Sequence, residues 1–109
     1  VDVNYKKLDL KKEKLPKTDL VTSIHSCNTL TDKVIEESIK QRTAFAIMPC
    51  CHSKSEYLRS NILKYFDNKT DAIDTARIMD IQNNDYQVVV KNIDKKITDK
   101  NRIIIGVPN

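Results

Sequence analysis

The chain has 109 residues, enough for one domain with a modest core, and its 39% hydrophobic and 31% charged residues indicate a folded, water-facing protein rather than a disordered one. No apolar run approaches the roughly 20 residues that cross a bilayer, so no membrane role is expected. The formal net charge of +4 is mild, and its densest part (Lys6, Lys7, Lys11, Lys12, Lys14 and Lys17) is interrupted by Asp9 and Glu13, which reads as a solvated segment rather than a nucleic-acid footprint.

Residues 3–10 offer a short strand of mixed alternation, and Leu15-Pro16-Lys17-Thr18 is turn chemistry. The next strand, 19–24, is rich in Val, Thr and Ile and runs into His25-Ser26-Cys27-Asn28. Thr29 and Asp32 have the spacing of a helix start, with the carboxylate near the positive end. The helix behind them carries Val34, Ile35, Ser38 and Ile39 on one stripe. Residues 44–48 form a continuous apolar run, the pattern of a strand buried on both faces. Pro49 cannot donate to a sheet ladder and should end that strand, leaving Cys50, Cys51 and His52 at its carboxyl end. Ser53 and Glu56 form a capping box for a second helix, with Tyr57, Leu58, Ile62, Tyr65 and Phe66 as its apolar face. Thr70 is expected to cap a third helix through Ala72, Ile73, Ala76 and Met79. Strands at 86–90 and 102–107 close the chain, the pair long-looped and antiparallel. The expected fold is therefore α/β: a mixed, mostly parallel sheet with helices on its faces. Strands 19–24 and 44–48 should be parallel neighbours, which brings the two His/Cys clusters to one edge.

Several chemistries compete for those clusters. His25, Cys27, Cys50, Cys51 and His52 supply enough nitrogen and sulfur for tetrahedral zinc, but there is no Cys-x-x-Cys and adjacent cysteines of an extended strand point apart, so no metal is assigned. A thiol nucleophile paired with histidine lacks a third orienting group. Buried or pocket-lining cysteines are the bland alternative. An odd count of three cysteines excludes a disulfide framework and points to a reducing compartment. The single glycine, Gly106, excludes glycine-rich phosphate loops. Asp74 and Arg77, three apart on one helix, read as a surface ion pair.

Asp19-Leu-Val-Thr-Ser-Ile-His-Ser-Cys27, then Thr31-Asp32, then Ile47-Met-Pro-Cys-Cys-His52 resembles the later half of class I (Rossmann-like) S-adenosylmethionine-dependent methyltransferases, in a subgroup with His-x-Cys after strand four and Pro-Cys-Cys-His after strand five. The tail, from Asp74-Thr-Ala-Arg77 through Asp85-Tyr-Gln-Val to Ile97–Gly106, is similar to the end of the same domain. That family's strand order is 3-2-1-4-5-7-6 with the seventh strand antiparallel. The resemblance makes residues 3–8 strand three, 19–24 strand four, 44–48 strand five, 86–91 strand six and 102–107 strand seven. It implies S-adenosylmethionine as cofactor, with Asp9 and Leu10 at the adenine and His25, Ser26 and Cys27 beside the methionine part. Asn28, Pro49, Cys50 and Cys51 would line the acceptor pocket, and His25 and His52 would accept the acceptor's proton. The acceptor itself (RNA, protein or small molecule) is not indicated. The family's first two strands have no counterpart here, so residues 1–109 are expected to be one partial domain, the C-terminal half, inactive alone and beginning at Val1 as part of a longer or processed protein. Such a fragment would associate with its missing half, or with itself through a bare strand edge. The cytoplasm is the expected compartment. The competing reading is a non-catalytic α/β interaction module, its zinc-stabilised form included.

Overall fold

A computed structural model describes residues 15–24, 29–49, 64–94, 96–97 and 101–109. In chain order they form β1 (Leu20–Ile24), α1 (Thr29–Gln41), β2 (Ala44–Met48), α2 (Lys69–Asn83), β3 (Tyr86–Asn92) and β4 (Arg102–Pro108). The strand expected at 3–10 lies outside the described residues, as does the helix expected behind Ser53 up to residue 63; of its expected apolar face, Tyr65 and Phe66 are described and are 75% and 38% exposed.

The four strands make one open mixed sheet in the order β1-β2-β4-β3. β1 and β2 run parallel from Leu20↔Ala44 to Ile24↔Met48, as strand, helix, strand in succession requires. β4 runs against both neighbours, with Phe45↔Gly106 on one side and Val88↔Gly106 on the other. The pairings are thus one parallel and two antiparallel, where a mostly parallel sheet was expected. β4 lies between β2 and β3, where the resemblance puts strand seven between strands five and six, and its reversed direction makes both of its pairings antiparallel.

Strand alternation assigns the faces. Val21, Phe45, Ile47, Tyr86, Val88 and Ile104 share one face with Val34, Ile35 and Ile39 of α1 and Ile78 and Ile81 of α2, and these residues form the core. Leu20, Ile24, Val89 and Val107 fall on the other face and are 56%, 72%, 46% and 46% exposed. Gly106 sits directly beside Phe45, and a Cβ on it would lie 2.6 Å from the Phe45 ring, so this strand position admits no side chain.

The helix ends use unusual residues because the chain has so little glycine. Arg42 closes α1 with φ 55, while its N–H and that of Thr43 donate to the carbonyls of Ile39 and Ser38. Its guanidinium reaches the carbonyls of Asn84 and Asp85 and lies 4.9 Å over the Tyr86 ring. Asp85, with φ 69, closes α2 in the same conformation. These contacts lock the two helix exits together at the amino end of β2, where the buried Tyr86 hydroxyl shares its proton between the carbonyls of Ser38 and Thr43. The start of α2 corrects the expectation: Asn68 is the cap, accepting from the N–H of Thr70 at 2.8 Å, and Thr70 is already inside the helix. Met79, expected on the apolar face, is 47% exposed.

Candidate functional site

The carboxyl ends of β1 and β2 stop side by side at Ile24 and Met48. Pro49 follows, buried, and ends the ladder as its missing N–H dictates. In an α/β sheet this edge, outside the carboxyl ends of parallel strands, is where ligands bind. Of the sequence-predicted site residues, Pro49 alone is described, and it lies at this edge. Asp9, Leu10, His25, Ser26, Cys27, Asn28, Cys50, Cys51 and His52 lie outside the described residues. By sequence, residues 25–28 leave from Ile24 and residues 50–52 follow Pro49.

Behind the edge stands an ionic cluster that the sequence did not reveal. Arg77 of α2 is fully buried, its Nε donating to Asp32 Oδ1 at 2.8 Å and its Nη1 to Asp74 Oδ1 at 2.9 Å. Asp32 lies in the first turn of α1, and both carboxylates are buried. Arg102 of β4 donates to Asp74 Oδ2 at 3.0 Å and to Asp71 Oδ1 at 2.5 Å. Asp74 and Arg77 are therefore the middle of a buried network joining α1, α2 and β4, not the surface pair expected from their spacing. Burial pulls the Arg102 guanidinium toward losing its proton, but the carboxylates of Asp71 and Asp74 outweigh it and hold its pKa above the ordinary arginine value.

The signal for this cluster was present but easily misread. Ile73, Asp74, Arg77 and Ile81 all lie on the buried side of α2, so its two charges share a stripe with its isoleucines. Nothing in the spacing alone says that Asp32, 45 positions upstream, completes it. Among the described residues no group of His, Cys, Asp and Glu is arranged to hold a metal ion, and no helix is long and apolar enough to cross a membrane.

Comparison with known proteins bears on this edge. A family model described as a methyltransferase domain matches residues 2–58, just over half of the chain. The chain belongs to this methyltransferase-domain family. The matched span contains β1, α1, β2 and every sequence-predicted site residue from Asp9 to His52. A stretch of 30 residues, 28% of this chain, is 50% identical to a glutathione S-transferase C-terminal domain-containing protein of Xenopus laevis, and it covers 5% of that protein. The chain thus spans a small fraction of that relative's length. No solved structure matches the chain.

Proposed function

We propose that the chain is the C-terminal part of a class I, S-adenosylmethionine-dependent methyltransferase domain, with its reaction site at the carboxyl edge of β1 and β2. The observation that carries this reading is the strand order. β1-β2-β4-β3 with β4 reversed corresponds to the last four strands, 4-5-7-6, of the class I sheet. The parallel, level ending of β1 and β2 also suits the cofactor, because it forms the kind of edge at which α/β sheets hold nucleoside ligands.

When bound, S-adenosylmethionine supplies a methyl group on a sulfonium, which becomes a neutral thioether as the acceptor nucleophile takes the methyl carbon. In this reading Asp9 and Leu10 contact the adenine, and His25, Ser26 and Cys27 line the methionine side. Asn28, Pro49, Cys50 and Cys51 shape the acceptor pocket. His25 and His52 are the residues able to accept the acceptor's proton near neutral pH. The chain's main contribution is alignment of acceptor and methyl group, since this displacement needs geometry more than acid–base power. The acceptor, whether RNA, protein or a small molecule, is met at the Pro49 side. The remaining strands of the class I sheet would come from an associated half-domain.

The test is calorimetric titration with S-adenosylhomocysteine, on this chain and on the chain extended by whatever its reading frame encodes ahead of Val1. Binding by the extended form alone supports the reading. Binding by neither overturns it in favour of a non-catalytic interaction module, and tight binding by the short chain contradicts the incomplete sheet.

A further inference from the structure

β1 ends at Ile24 and α1 begins at Thr29, four residues of sequence later, so the edge of the candidate site is set by where these two ends stand. One end is fixed by the ladder of β1 on β2. The other end is the first turn of α1, and there Asp32 is held by Arg77 at 2.8 Å. The apolar contacts of α1 with α2 and with the sheet are non-directional. The planar guanidinium fork is directional: it fixes Asp32 and Asp74 at once, and Arg102 ties Asp74 to β4, which pairs with β2. The network therefore joins β2, through β4 and α2, to the first turn of α1. A buried ionic group contributes little net stability against apolar packing of the same volume, and its best-attested use is to set register.

We infer that Arg77 is a positioning residue: through Asp32 it fixes the first turn of α1 against the sheet edge, so that ligand affinity at the carboxyl ends of β1 and β2 depends on it without contact. This inference rests on the methyltransferase reading, and wild-type binding is the check on that reading. The experiment measures S-adenosylhomocysteine affinity by calorimetry and unfolding by urea in the full reading-frame protein carrying Arg77→Lys, Asp32→Asn or Tyr86→Phe. Arg77→Lys keeps the charge and loses the fork, and Asp32→Asn keeps the volume should the lysine variant not fold. Tyr86→Phe destabilises the opposite edge of the sheet and serves as the control. Roughly tenfold weaker affinity is expected for Arg77→Lys and Asp32→Asn at temperatures where both are folded, with Tyr86→Phe unchanged despite its lower unfolding midpoint. Equal affinity in all folded variants, or a loss in Tyr86→Phe as large as in the other two, overturns the inference while leaving the methyltransferase reading standing. No binding by the wild type overturns both.

Discussion

Tyr86 shows how one buried hydroxyl ties two chain segments together. Its proton serves the carbonyls of Ser38 and Thr43, which come from the end of α1 and the entry to β2. Tyr86→Phe leaves these acceptors without that donor, and a loss of about 1–2 kcal/mol in urea unfolding at neutral pH is expected. Burial also raises the phenol above its ordinary value of 10.0. The unfolded chain then gives up its proton before the folded one, so this contribution is present below about pH 10 and is lost as pH rises further. The phenylalanine variant should show a shallower alkaline decline, and an unchanged slope would contradict the assignment. At Gly106, alanine would place its Cβ against the fully buried Phe45 ring, and a loss of about 1–3 kcal/mol is expected, relieved in part when Phe45→Leu is added. The partial rescue is read from a double-mutant cycle. Residues of this kind were the least legible in the sequence. Gly106 stood out as the single glycine, but only the β2–β4 register sets it beside Phe45. Asp74 and Arg77 looked like a surface pair because helical spacing brings them together without saying which way they face.

At the scale of elements, local signals did better. The apolar runs 19–24 and 44–48 became β1 and β2, and their parallel pairing follows from the helix between them. The stripe Val34, Ile35, Ser38 and Ile39 faces inward on α1 with Ile39 half-buried. The closing antiparallel pair was also legible, because a connection of about a dozen residues suits a long-looped hairpin. Its place beside β2 came only from the resemblance, as strand seven beside strand five, since no local pattern reports which edge a strand joins. The cap of α2 was misassigned for a similar reason. Asn68 and Thr70 are both good cap residues, and only the backbone shows that Asn68 Oδ1 takes the N–H groups of Thr70 and Asp71. Asn68→Ala should lower the unfolding free energy by about 1 kcal/mol, against less than about 0.5 kcal/mol for Thr70→Ala. The reverse ranking in denaturant titrations would restore Thr70 as the cap.

For the whole molecule, the family match and the sheet order rest on different parts of the chain. The family match rests on residues 2–58. Half of the strand order rests on β3 and β4, which lie beyond that span. The two apolar strands that precede His-x-Cys and Pro-Cys-Cys-His were legible, and the parallel register shows that these strands end together. Most of its side chains lie outside the described residues, so their roles stand on resemblance. The ionic network was not legible as a whole because it joins residues 32, 71, 74, 77 and 102 from three elements. The most direct measurement is ultraviolet crosslinking of methyl-labelled S-adenosylmethionine to the full reading-frame protein, with peptide mapping of the label. Within this chain, label confined to residues 9–10, 22–32 and 44–52 is the expected result. Label on β3, on α2 or on the exposed face of Leu20 and Val107 would contradict a site at the carboxyl edge of β1 and β2, as would no labelling at all.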